Sequence, residues 1–319
     1  MYQLTITLYL KVLCIFVFVL MKQKINILLI LSAVCICFWA SSCTKKPTGT
    51  GGTNTNAGTS NLTDTIIKNV SYGTDSFQKM DIHLPAKRDG NTRLIVMVHG
   101  GAWSAGDKAE FGYYINLIKA EWPTVAIANM NYRLASNKNS IHHPEIMNDI
   151  KQAFAHLQNN KGTYVFSDSV AIVGASAGAQ LATIYAYNYN DLNNIKCVGD
   201  IFGPVIINDW NWYNSFNPWL GKNIKDILTE YVGTTWDSTA YKAVSPYHQA
   251  KSTSQPTIIF HGSLDPIVPV YQSQRFKGQL NKMNVKNEYH EYIAFHSFDN
   301  TQSSDVIKKM VAFFKTNCN

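Results

Sequence analysis

The stretch Val170-Ala-Ile-Val-Gly-Ala-Ser-Ala-Gly-Ala-Gln-Leu-Ala182 constrains this chain more than any other. Its first half is apolar and β-branched, as a buried strand is. Its second half runs in small, helix-forming residues. Between them stands Gly174-Ala175-Ser176-Ala177-Gly178. A strand that reverses sharply into a helix crowds its own backbone, and two glycines remove the side chains that would clash there. Such a turn holds one serine in a strained conformation, with its hydroxyl exposed above the sheet. The helix that begins at the turn points its first amides at any negative charge developing beside the serine. The stretch predicts helices packed on a sheet and makes Ser176 a candidate nucleophile.

The rest of the chain repeats this alternation. Residues 66–72 and 79–84 are short alternating runs separated by Gly73 and Asp75, which predicts a hairpin. Leu94 to His99 is a continuous apolar run, the pattern of a strand covered on both faces. A helix is expected near 109–120, a strand over 125–130 and a helix near 144–158. Beyond the serine turn, strands are expected over 198–205, 256–261 and 287–293, with helices near 271–280 and 304–314. An antiparallel opening pair followed by alternating strands and helices predicts a doubly wound α/β fold. Its sheet is mostly parallel, of about eight strands, with helices on both faces. No internal repeat and no second folded domain is evident. Asp149 lies on the helix after Tyr132-Arg133 and is read as an anchor for that arginine.

Residues 206–250 interrupt the pattern. They hold Trp210, Trp212, Trp219 and Trp236, four of the seven tryptophans, together with Tyr213, Phe216 and Tyr231. The segment reads as a cap fixed to the sheet by aromatics, one or two of which line a pocket. Its polar residues Asn208, Asp209, Asn211, Asn214 and Asn217 break up any continuous apolar surface.

His99-Gly100-Gly101-Ala102-Trp103 follows directly on the third strand. Two glycines at a buried strand end let the backbone come close to a ligand and turn its amides inward. Acyl transfer requires such donors where a carbonyl oxygen becomes negative. The amides of Gly101 or Ala102, with that of Ala177, are therefore the candidate oxyanion hole. Trp103 is the candidate pocket wall and substrate-binding residue. No spacing of His, Cys, Asp or Glu suggests a metal site. No basic stripe or RNA-binding signature suggests a nucleic-acid partner; five of the seven net positive charges come from lysines in the first 46 residues.

Taken together, these stretches resemble the α/β-hydrolase superfamily of esterases and lipases. The likeness is to the carboxylesterases related to hormone-sensitive lipase and to bacterial feruloyl and acetyl-xylan esterases. It is carried by residues 70–72 with 79–85, His99 to Trp103, Asn131-Tyr-Arg-Leu-Ala135, Gly174 to Gly178, and His261-Gly-Ser-Leu-Asp265-Pro-Ile-Val-Pro269, in the family's order. The resemblance implies a triad in the order Ser, acid, His. Asp265 matches the acid, and His296 in Ala294-Phe-His-Ser-Phe298 matches the base, with Phe295 where the family often has glycine. His290 is the competing histidine, but strand alternation holds it on one sheet face. The implied activity is hydrolysis of small-molecule or carbohydrate esters of short acyl groups, including acetyl or feruloyl esters, through an acyl-enzyme and without a cofactor. Two other readings stay open. One is an arylformamidase-like or peptidase-like amide hydrolase on the same triad. The other is a non-catalytic binding protein on the same scaffold.

The N-terminal segment 1–43 reads as a signal. Met21-Lys-Gln-Lys24 is a basic start, residues 25–39 are apolar, and Ala40-Ser-Ser-Cys43 ends the segment with small residues. This resembles a bacterial lipoprotein signal in which Cys43 is lipidated, with Ala40 where leucine is usual. Met21 is then the true start. Residues 44–63, mostly Thr, Gly, Asn and Ser, form a flexible tether, and 64–319 the catalytic domain. The expected location is the bacterial cell envelope, at a membrane through the lipid anchor. The other reading is a cleaved secretory peptide and a secreted product. Of the six cysteines only Cys197 and Cys318 lie in the domain, and sequence leaves their pairing open. If Cys43 carries the anchor, the protein expressed in a bacterial host partitions with membranes and Cys43→Ser releases it, since several acyl chains hold firmly where one binds marginally. A soluble wild type with an unmodified N-terminus would contradict this.

Overall fold

Continuous apolar runs become the middle of a sheet and alternating runs become its edges. The computed structural model describes residues 62–318, so segment 1–43 with Cys43 and the tether up to Asn61 lie outside the described residues. The strands are β1 (Thr65–Ser71), β2 (Lys79–Leu84), β3 (Leu94–Val98), β4 (Ala126–Met130), β5 (Val170–Ala175), β6 (Ile195–Ile201), β7 (Phe216–Asn217), β8 (Lys222–Asn223), β9 (Thr257–Gly262) and β10 (Asn287–Tyr292). Eight of them form one sheet in the order β1-β2-β4-β3-β5-β6-β9-β10, and β7 and β8 form a separate small hairpin. β1 pairs antiparallel with β2, and β2 with β4; every other pairing in the large sheet is parallel.

All five residues of β3 and all five of β4 are buried, because helices cover both faces. The helices are α1 (Gly112–Glu121), α2 (His143–Asn159), α3 (Lys161–Tyr164), α4 (Ala177–Asn188), α5 (Trp210–Tyr213), α6 (Ile224–Val232), α7 (Ser238–Ala243), α8 (Pro246–Gln249), α9 (Tyr271–Lys282) and α10 (Asn300–Asn317). Successive strand residues point to opposite faces. Leu94, Val96 and Val98 therefore join a core with Ile146 and Ile150 of α2 and Leu181 of α4. Ile95 and Met97 join the opposite core with Ile115 of α1 and Met310 of α10. Edge strand β10 is only partly buried along its length.

Two departures from the sequence expectation have a plain physical cause. α10 begins at Asn300 rather than near 304, because Asp299 caps the amide of Gln302 at 2.8 Å and Gln302 caps back. The apolar run expected as a strand over 198–205 is in the sheet only as far as Ile201. Phe202 takes φ of 44° and turns the chain out of the sheet. Residues 202–207 stay buried, but their backbone is satisfied elsewhere: Ile206 N–H donates to Gln272 Oε1 and Ile207 N–H to Ser245 Oγ. Apolar composition recorded the burial, and only the surroundings decided the backbone.

Asp149 does anchor Arg133. Its carboxylate accepts the Arg133 guanidinium at 2.6 Å, the Arg133 amide at 2.8 Å and Gln78 Nε2 at 2.7 Å. This ties β2, the segment after β4 and α2 together. The pairing that sequence left open is also settled, for Cys197 of β6 and Cys318 beyond α10 form a disulfide, with Cα atoms 5.7 Å apart and a sequence separation of 121. Strand order puts β6 beneath α10, a proximity no linear spacing contains. Opening a loop of this length by Cys318→Ser is expected to lower stability by about 2–5 kcal/mol, read as a lower denaturant midpoint. Identical midpoints with and without reductant in the wild type would contradict it.

Candidate active site

β5 runs into α4 at a single residue. Ser176 has φ 55° and ψ −126°, a strained left-handed conformation of the kind that costs about 1–3 kcal/mol and persists only where its surroundings enforce it. The enforcing contact is close packing. A Cβ on Gly174 would lie 2.2 Å from the Gly178 carbonyl, and one on Gly178 would lie 2.1 Å from the Val98 carbonyl oxygen. Only glycine at both positions lets α4 press onto the ends of β3 and β5. The Ser176 amide donates to Ile201 O at 2.9 Å, which fixes the turn to β6.

The acid and the imidazole come from the next two strand ends. After β9, Asp265 Oδ1 accepts the amides of Ile267 at 2.8 Å and Val268 at 3.0 Å. Its Oδ2 lies 2.6 Å from His296 Nδ1, in the loop after β10. A carboxylate only accepts, so Nδ1 carries the proton and Nε2 is left to accept from the Ser176 hydroxyl at 2.8 Å. The His296 ring also packs on Phe202 at 4.6 Å between centroids, where the chain has turned out of β6. Gly262 makes room for this loop, since a Cβ there would lie 2.2 Å from Phe295 O. Burial alone would raise the Asp265 pKa. Hydrogen bonds from His261 and His296, and the charge of His296, outweigh it and hold the carboxyl well below the usual carboxylate range. His290 is not part of this arrangement; it sits on β10 against Glu288, at 3.2 Å.

His261 makes a contact that the sequence does not predict. It is fully buried in β9. Its Nε2 lies 3.2 Å from Asp265 Oδ2 and 2.9 Å from Val268 O, and its Nδ1 2.7 Å from Ser273 Oγ. The spacing His261-x-x-x-Asp265 held the signal, but nothing local says that the loop folds back onto its own strand. Phe202 left no signal at all.

The loop after β3 has three consecutive left-handed residues, Gly101, Ala102 and Trp103, with φ of 104°, 50° and 60°. Gly101 and Ala102 border the same space as Ser176, and Ala177 follows Ser176 at the first position of α4. Among the described residues, the amides of Ala102 and Ala177 donate to no other backbone group, which leaves them available to an external oxygen. Among the described residues, no group of three His, Cys, Asp or Glu could hold a metal ion.

Two spaces adjoin Ser176. An open pocket of about 530 Å³ is bounded by Ala102, Phe202, Leu220, Ile227 and His296, with Glu110 and Lys222 also lining it. A smaller, apolar cavity of about 30 Å³ lies between Trp103, Ala177, Trp212, Leu228 and Val268. Trp103, 2% exposed, is a wall of the smaller cavity, and among the cap aromatics Trp212 borders the same space beside Ser176. The cap meets the open pocket with aliphatic Leu220 and Ile227, whereas Trp210 and Trp219 are turned to solvent and Trp236 packs on Tyr213 and Tyr241.

Residues 80–280 match the family model BD-FAE. The esterase LipQ of Mycobacterium tuberculosis is 27% identical over 235 residues, covering 69% of this chain and 53% of that protein. The chain spans about half the length of the curated relatives it matches. Among solved structures, a truncated carbohydrate esterase from gut microbiota aligns with a TM-score of 0.66 at 22% identity, covering 80% of this chain and 97% of that one. The esterase Est2 of Thermogutta terrifontis, butyrate bound, aligns with a TM-score of 0.62 at 20% identity, covering 78% and 93%. These structures share the fold of residues 62–318.

Proposed function

The chain belongs to the BD-FAE family and has the α/β-hydrolase fold, and from that premise we propose that it is a serine carboxylesterase acting on short acyl esters. The observation that carries this reading is the unbroken chain Ser176–His296–Asp265 opening onto a pocket. Ser176 attacks the ester carbonyl while His296 Nε2 takes its proton. Asp265, already ionised, stabilises the imidazolium and keeps the ring in the productive tautomer. The amides of Ala177 and of Ala102 or Gly101 receive the oxyanion, each such donor being worth about 3–4 kcal/mol of barrier. His296 returns the proton to the leaving alcohol, and water then releases the acyl-enzyme by the same route.

The two unequal spaces support a division of the substrate. The acyl group enters the smaller apolar cavity of about 30 Å³, whose size suits an acetyl methyl better than a feruloyl ring. The alcohol lies in the open pocket of about 530 Å³, where Glu110, Lys222 and Ser297 favour a polar, sugar-like group. The relatives named as esterases, and the fold neighbour named as a carbohydrate esterase, accord with this.

Because triad members act as a unit, Ser176→Ala and His296→Ala are each expected to lower kcat by about 10³–10⁶ and to abolish labelling by a fluorophosphonate probe, with His290→Ala close to wild type. A lethal His290 change beside a mild His296 change would reverse the assignment. Across p-nitrophenyl acetate to palmitate, kcat/KM is expected to peak at acetate to butyrate and then fall steeply. Each methylene left unburied forfeits about 0.8 kcal/mol, besides any steric clash. A maximum at long chains with activation at an oil surface would make the cap a lipase lid instead.

A further inference from the structure

Gln180 stands on the first turn of α4, fully buried, with its amide oxygen and nitrogen both committed. Its Oε1 accepts the Trp103 indole N–H at 2.9 Å and the Tyr231 hydroxyl at 2.9 Å, and its Nε2 donates to Val244 O at 2.7 Å. The indole of Trp103 stacks on Tyr231, with ring centroids 4.2 Å apart and planes within 12°. Tyr231 belongs to α6 and Val244 follows α7, so both lie in the cap; Trp103 is the last of the three left-handed residues after β3. The Tyr231 hydroxyl, having given its proton to Gln180, also meets His143 Nδ1 at 2.7 Å. Burial pushes that imidazole down to about 4, so it is neutral near pH 7 and supplies its one proton to the tyrosine oxygen. A single amide thus joins the nucleophile helix, the loop beside Ser176 and the cap, with α2 one hydrogen bond further on.

A run of three left-handed residues, two of them not glycine, keeps its shape only if something holds it. Backbone support for the run is a hydrogen bond at each end, Ala105 N–H to Gly101 O and Ala135 N–H to Trp103 O, both at 2.9 Å. The middle residue Ala102, whose amide faces the reacting centre in the reading above, relies on its neighbour's side chain. That indole has one polar atom, and Gln180 is its partner. We propose that Gln180 is a positioning residue for the oxyanion loop: through Trp103 and Tyr231 it lets the docked cap set where the Ala102 amide stands relative to Ser176. The inference rests on the esterase reading and concerns only how its oxyanion hole is held. It also gives the cap a catalytic task beyond closing the pocket.

The test uses Gln180→Leu together with Trp103→Phe and Tyr231→Phe, the last two keeping both stacked rings while removing one donor each. With p-nitrophenyl acetate, each variant is expected to lose about 10–100-fold in kcat at little change in KM, as loss of an interaction made only in the transition state does. A trifluoromethyl ketone, which forms a tetrahedral oxyanion on the serine, is expected to bind more weakly by the same factor. The double variant Gln180→Leu/Trp103→Phe is expected to be no worse than the poorer single variant, because both break one link. Should Gln180→Leu fail to fold, the two phenylalanine variants decide by the same criteria. A kcat within twofold of wild type, an unchanged ketone affinity, or losses that simply multiply would each overturn the inference while the esterase reading stands. A wild type that cleaves no ester and binds no ketone would instead overturn the reading and the inference with it.

Discussion

The approach of α4 to the ends of β3 and β5 is the contact on which the site depends. With Gly178 against the Val98 carbonyl and Gly174 against the Gly178 carbonyl, the helix starts so close to the sheet that the connecting residue has no relaxed conformation open to it. Ser176 therefore sits at φ 55° with its hydroxyl clear of both elements. The same closeness places the first amides of α4 beside the loop that leaves β3. The strained serine and the helix amides beside it are thus products of one packing decision, made in a core that hydrophobic burial stabilises throughout.

Around that fixed point the other groups arrive from separate strand ends, and each is held by more than one contact. Asp265 has two backbone amides on one oxygen and two imidazoles near the other. His296 is gripped between that carboxylate and the Phe202 ring. A carboxylate so surrounded stays ionised although it is buried, because the donors replace the water it has lost. In the proposed mechanism, this geometry would need little reorganisation when a proton moves from serine to imidazole, which is what electrostatic preorganisation means in structural terms.

The cap contributes to this order in a way its composition conceals. Three of its tryptophans sit at its own seams and surface, while Leu220, Ile227 and Trp212 border the spaces beside Ser176 and Gln180 bonds Tyr231 and Trp103 behind them. A cap bonded to the nucleophile helix through a dry amide differs physically from a lid that rides on loops, since moving it would strip partners from buried donors.

Sequence alone determined the class of fold and the serine turn. Period-2 and unbroken apolar runs follow directly from which faces of a strand are covered, and a strand–glycine–serine–glycine–helix junction has few backbone solutions. It also named the glycine loop from two glycines at a buried strand end, and Asp265 and His296, though those two only through a resemblance and not through any local physical necessity. What tertiary structure decided was everything that depends on strand order. His261 reaches Asp265, Phe202 reaches His296, Cys197 meets Cys318 across a sequence separation of 121, and the run 202–207 leaves the sheet. Such contacts join points far apart in the chain, and linear spacing carries no record of them. Trp103 shows both sides at once: its neighbourhood to the glycine loop was legible, but its burial against Tyr231 was fixed by where the cap docks.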